Sequence, residues 1–146
     1  MFFCFSASLG GRHIFQLLGH APGASEGVPG ARGSGSGSLA PKTAGQLGRE
    51  GESAVRAVYN IGEKPAQSIL MNGRARIPDG INPLARSLSE VKNVNSLSFT
   101  SQLRDYSGYA QGQGLRFDLY TRPSTQLSGP LKDAIDSGLI NHRYIP

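Results

Sequence analysis

The stretch RIPDGINPLARSLSEVKNV, residues 76–94, decides how the rest of the chain is read. It sets the pair Pro78-Asp79 at the end of one strand-like segment and the tripeptide Glu90-Val91-Lys92 inside another. Side chains two apart in a strand point to the same face. Glu90 and Lys92 therefore share a face with Leu88, and Asp79 is in step with Ala75 and Ile77. If the two segments are neighbours, Asp79 and Glu90 converge with Lys92 beside them. Two carboxylates brought together repel, and one takes up a proton unless a cation sits between them. Mg2+ suits such an oxygen-only site, because it binds through one or two carboxylates and keeps several waters. The plainer reading makes Asp79, before Gly80, a turn residue and puts Glu90 and Lys92 on an exposed strand face.

The surrounding pattern is that of a folded domain from residue 48 to 146. GREGESAVRAVYNIG (48–62) reads as a helix ending at Gly62, with Ala54, Val58 and Ile61 on one stripe widened by Val55 and Tyr59. Glu52 projects along the edge of that stripe, with Arg56 one helical turn on as an ordinary surface partner. QSILMN and RARIPD read as two strands joined by Asn72-Gly73, a strong hairpin signal. SLSEVKNV is a third strand. SQLRDYSGYAQ is a second helix capped by Thr100 or Ser101, and LRFDLYT a fourth strand with Leu115, Phe117 and Leu119 on one face. SGPLKDAIDSG is a short helix with Pro130 at its start, and LINHRYIP a fifth strand. The order is αβββαβαβ, an α/β or α+β domain with a mixed central sheet flanked by helices.

Residues 1–47 differ in composition. The first 48 residues hold eleven of the 20 glycines, a single acid (Glu26) and the run GARGSGSGS, which reads as a disordered tail, a linker or the remnant of a longer polypeptide. The apolar opening has no basic residue before it, so it makes no convincing signal peptide. No apolar run approaches the length of a membrane span.

One cysteine, Cys4, rules out an intrachain disulfide and a cysteine-built zinc cluster. His13, His20 and His142 form no close pair, so a two-histidine mechanism is unsupported. Acid–base chemistry must rest on carboxylates, lysine or a metal. The net charge of +5 and pI near 9.7 lean towards anionic partners such as nucleic acid. Arg74, Arg76, Arg104, Arg116 and Arg122 are candidates to grip phosphates.

Pro78-Asp79 and Glu90-Val91-Lys92 resemble the two motifs of the PD-(D/E)xK nucleases, and the αβββαβ order over 49–121 resembles their restriction-endonuclease-like core. Glu52 stands where many members carry a further acidic metal-site residue. Gln102 and Tyr106 resemble the Q-x-x-x-Y helical motif of the RecB-like branch. Residues 48–146 are similar to the restriction-endonuclease-fold toxin domains at the C-termini of bacterial polymorphic toxins. That resemblance implies a metal-dependent phosphodiesterase, with DNA the expected substrate. Asp79, Glu90 and Glu52 would hold Mg2+, or Mn2+ or another divalent ion, and Lys92 would position or activate water. Gln102 and Tyr106 would orient the site and the nucleic acid. It further implies delivery by a secreted carrier into the cytoplasm of a rival cell, and a cognate immunity protein, expected to be acidic. The alternatives are a ribonuclease of the same fold, for instance on tRNA, and a non-catalytic nucleic-acid-binding module with a degenerate site.

Overall fold

The computed structural model describes residues 40–146. The expected tail therefore lies, up to residue 39, outside the described residues. Helix α1 (Ala44–Val58) begins four residues before Gly48. Thr43 and Gln46 cap it reciprocally: the Thr43 hydroxyl accepts from the Gln46 backbone N–H at 3.2 Å, and the Gln46 side-chain oxygen accepts from the Thr43 N–H at 2.8 Å. This satisfies two of the N–H groups that a helix start leaves without partners. The helix stops at Val58, which is 62% exposed rather than part of the buried stripe, and Ile61 is buried from the loop beyond it.

Strands β1 (Ile69–Met71) and β2 (Arg74–Arg76) form the expected hairpin, with φ of 49° at Asn72 and 75° at Gly73. A two-residue turn with both central residues left-handed is what Asn-Gly favours. The hairpin stays out of the central sheet. Glu90's own strand, β4 (Ser87–Lys92), instead has an antiparallel neighbour in β3 (Gly80–Asn82), with Gly80 opposite Ser89. Three residues are too few to show an alternating pattern, so β3 carries no strand signal of its own.

After β5 (Ser96–Leu97) and helix α2 (Ser101–Gly112), strand β6 (Arg116–Thr121) returns parallel to β4. Strand β7 (Gln126–Leu127) pairs with β5, helix α3 (Gly129–Asp136) follows, and β8 (Asn141–Tyr144) runs parallel to β6. The sheet order is β3-β4-β6-β8, and the domain is α+β with a mixed sheet.

Both faces of the sheet are covered, and β4 is accordingly buried through its first five residues. On one face Val55 of α1 and Ile61 meet Val91 and Tyr120. On the other, Leu103, Tyr106, Leu131 and Ala134 of α2 and α3 meet Leu88, Phe117 and Leu119. Strand alternation thus turns Glu90 and Lys92, like Leu88, towards α2.

The hairpin is fastened to α2 through Asp105, which is buried. Its carboxylate accepts from Arg76 at 2.7 and 2.9 Å, from Arg74 at 3.2 Å and from Asn72 at 3.2 Å. The hydrogen bonds from Arg76 come first among the causes that hold the Asp105 carboxyl below its usual range. Fixing the hairpin also fixes the segment that leaves it, Ile77 to Asp79.

Candidate active site

Asp79 immediately precedes β3, and the register of that strand brings it opposite Glu90. Its Oδ2 accepts from the Val91 backbone N–H at 2.9 Å. Glu90 Oε1 lies 2.7 Å from the Lys92 ammonium, whereas Glu90 Oε2 is buried and makes no hydrogen bond among the described residues. Burial first, and the Asp79 charge second, push the Glu90 carboxyl up to about 7. Lys92 and the Asp79 backbone N–H oppose that rise without cancelling it.

This raised value has a consequence for stability. Below the ordinary value of 4.5, Glu90 is protonated both folded and unfolded, and the contribution is fully present. As pH rises from 4.5 to about 7 the unfolded carboxyl ionises while the buried one stays protonated, so on the order of 3 kcal/mol is lost by the time the folded carboxyl ionises as well. In EDTA, the melting temperature should fall between pH 5.5 and 8.5 by several degrees more than that of Glu90→Gln. The comparison separates Glu90 from His142, which burial holds below its usual value and which works in the opposite sense. Parallel melting curves for the two proteins would contradict it.

Lys92 is held from its other side by α2. It donates to the Gln102 side-chain oxygen at 2.9 Å, and the Gln102 amide donates to the Tyr106 hydroxyl at 3.1 Å. Tyr106 in turn donates to the backbone oxygen of Ile77 at 3.0 Å. Gln102 and Tyr106 lie one helical turn apart, and Thr100 caps that helix by accepting from the Leu103 N–H at 3.3 Å. Burial, and then the Glu90 charge, raise the Tyr106 phenol above its usual value, so it keeps its proton. One chain of contacts thus runs from Glu90 through Lys92, Gln102 and Tyr106 to the residue two before Asp79.

Glu52 is placed differently from the expectation. Its Oε1 accepts from Arg56 at 3.2 Å, and its Oε2 from Lys64 at 2.9 Å. Lys64 also donates to Asp79 Oδ1 at 3.0 Å, so the ammonium stands between the two acids. Burial alone would raise Glu52, but the hydrogen bonds from Lys64 and Arg56 hold it below its usual value. Among the described residues no group of three His, Cys, Asp or Glu side chains is placed to hold a metal ion. The structure therefore brings Asp79 and Glu90 together and leaves Glu52 outside that pair, because both of its oxygens are committed to cations. Lys64 had no motif to announce it; Glu63-Lys64-Pro65 reads as a charged loop.

The donor set fits a hard divalent cation. It consists of carboxylate oxygens only, and one of them, Glu90 Oε2, is buried without a partner. Mg2+ needs no more than one or two carboxylates, since it keeps several waters.

The five arginines offered as phosphate grips each have an internal contact. Arg74 and Arg76 bind Asp105, and Arg104 lies over the Phe99 ring at 5.4 Å. Arg116 forms a two-pronged pair with Asp118 at 2.6 and 2.7 Å, and Arg122 donates to Asn95 at 2.8 Å. His142 sits in β8, with Nε2 2.8 Å from the Thr121 hydroxyl.

A family model described as restriction endonuclease fold toxin 7 matches residues 48–131, more than half of the chain. The match takes in α1 from Gly48 onward, the hairpin, β3, β4, α2 and β6, and so every residue of the site. No curated protein and no solved structure gives a significant match.

Proposed function

The chain belongs to the restriction endonuclease fold toxin 7 family, and from that premise we propose that it is a metal-dependent nuclease whose substrate is DNA. One observation carries the reading: the buried, unpartnered Oε2 of Glu90 beside Asp79, with the Lys92 ammonium held on the same carboxylate. Burying a carboxylate oxygen without a partner is unfavourable unless something else completes it. Asp79 and Glu90 would hold the ion. When bound, Mg2+ or Mn2+ supplies Lewis-acid polarisation of the phosphodiester.

The chain's own residues do the remaining work. Lys92, fixed between Glu90 Oε1 and Gln102, presents a localised positive charge beside the carboxylates. There it positions the attacking water and balances charge that develops on the phosphate. Gln102 and Tyr106 act through Lys92 as positioning residues, and Tyr106 fastens them to the segment Ile77 to Asp79 that leads into β3. Glu52 acts at one remove, holding Lys64 and Arg56.

We further propose that the domain is the toxic end of a delivered effector, acting in the cytoplasm of a competing bacterium. The positive net charge of +5 suits nucleic acid as substrate and an acidic immunity protein as inhibitor. No helix among the described residues is long and apolar enough to cross a membrane, and a membrane is no part of the proposal.

Expression in bacteria tests this reading. The parent should arrest growth and induce the DNA-damage response, whereas Glu90→Gln should accumulate harmlessly. Normal growth with soluble parent protein would sink the toxin reading. Arrest without DNA damage, together with cleaved tRNA, would move the substrate to RNA.

A further inference from the structure

Lys64 is the feature of the site for which no sequence motif prepares. Its ammonium meets Glu52 Oε2 from α1 at 2.9 Å and Asp79 Oδ1 at 3.0 Å. Two acids from different elements thus point at one position, and a cation already stands there.

The backbone around it is built to hold that position. Glu63 exchanges two backbone hydrogen bonds with Ile81, at 2.9 and 3.2 Å, so residues 61–64 run along the outer edge of β3. The approach is close enough to require glycine. Gly62 has φ +79°, and a Cβ there would lie 2.0 Å from the Ile81 carbonyl oxygen. A Cβ on Gly80 would lie 2.3 Å from the oxygen of Ile61. Arg56 closes the arrangement by donating to the Gly62 oxygen at 2.9 Å, to the Asp79 backbone oxygen and to Glu52 Oε1 at 3.2 Å.

Stability alone does not account for this. The Lys64 side chain is 45% exposed, and exposed ion pairs contribute little. The geometry has a closer parallel in two-metal phosphodiesterase sites, where a second cation stands roughly 3.5–4 Å from the first and shares a carboxylate with it. Asp79 is the shared carboxylate here, with Glu90 on one side and Lys64 on the other.

We propose that the Lys64 ammonium takes the place of a second metal ion, so that the site binds a single divalent cation, at Asp79 and Glu90. The inference rests on the metal-dependent reading above and assigns its stoichiometry. Removing the ammonium leaves Asp79 Oδ1 and Glu52 Oε2 facing each other with no cation between them, Arg56 remaining on the other Glu52 oxygen, which is a site for a second hard cation.

The test is a calorimetric titration with Mn2+ near pH 8.5, where Glu90 is ionised, supported by electron paramagnetic resonance of the bound ion. The parent should bind one Mn2+ with an uncoupled spectrum. Lys64→Met should bind two and show the exchange-coupled signal of a close pair, and Lys64→Arg, which keeps the charge, should return to one. A parent that already binds two ions overturns the proposal. So does a Lys64→Met protein that binds one, whether with the parent's affinity or more tightly; tighter binding would mean that Lys64 merely competes for the first ion. A parent that binds none fails the metal-dependent reading itself, and the parent titration alone reveals it. Because Lys64 is exposed, its replacement should leave the metal-free melting temperature within a few degrees of the parent.

Discussion

Replacing Lys92 with Met should slow cleavage by roughly 10²–10³-fold while leaving Mn2+ binding in place. The ammonium lies 2.7 Å from Glu90 Oε1 and 2.9 Å from the Gln102 oxygen, so its position is fixed before substrate arrives. A preorganised charge of this kind acts where negative charge develops, and its loss falls on the transition state rather than on ion binding. The choice of pH matters. Lys92 opposes the upward shift of Glu90, so removing it raises that carboxyl further and weakens ion binding near neutrality. Titration near pH 8.5 and single-turnover cleavage at the same pH separate the two effects. If Lys92→Met loses the ion as completely as a substitution of Asp79, the lysine is only a counter-charge for Glu90.

Asp79→Asn should act on the ion itself, lowering Mg2+-dependent cleavage by roughly 10³-fold or more. Without metal its stability should stay close to the parent's, because two changes oppose one another. The exposed pair with Lys64 is lost, which costs little. The charge that helps to raise Glu90 is also lost, which relieves a buried group. The amide oxygen can still accept from the Val91 N–H, so the contact at 2.9 Å survives. Metal at about 100 times its Kd should stabilise the parent by about 2.7 kcal/mol and the substituted protein not at all. Thermal melts with and without Mg2+ measure this directly. Parental cleavage by Asp79→Asn would remove Asp79 from the site.

Much of the fold was legible because its signals are local. Asn72-Gly73 dictated a turn that both residues adopt, and the alternation in Leu115, Phe117 and Leu119 marked β6. Thr100 announced α2 and Pro130 announced α3. Local signals also explain the errors. The cap Thr43-x-x-Gln46 was present but lay in a stretch whose glycines and serines suggested a tail. The convergence of Asp79 with Glu90 was expected through the strand RARIPD, yet it arises through β3, whose three residues have no period to read. The hairpin meanwhile packs on α2 through Asp105, a contact 29 to 33 residues distant in sequence that no pattern within the hairpin encodes.

The site divides in the same way. Glu90 and Lys92 share a face by strand geometry, and Gln102 and Tyr106 share one by helix geometry, so both pairs followed from spacing. Glu52 was expected as a third ligand, and its partner one helical turn on, Arg56, does contact it at 3.2 Å. What spacing could not supply was Lys64, which reaches Asp79 across 15 positions after a left-handed glycine and a single bridge to β3. Its ammonium stands between the Glu52 and Asp79 carboxylates.

The most direct measurement is cleavage by the purified protein of supercoiled plasmid DNA and of total tRNA, each with Mg2+ and with EDTA, beside Glu90→Gln. Plasmid should be nicked and linearised by the parent in Mg2+, and left intact in EDTA and by Glu90→Gln, with tRNA spared throughout. Plasmid and tRNA both intact in Mg2+ and in Mn2+, from a protein that melts cooperatively, would contradict nuclease activity. Equal cleavage in EDTA would contradict the metal site.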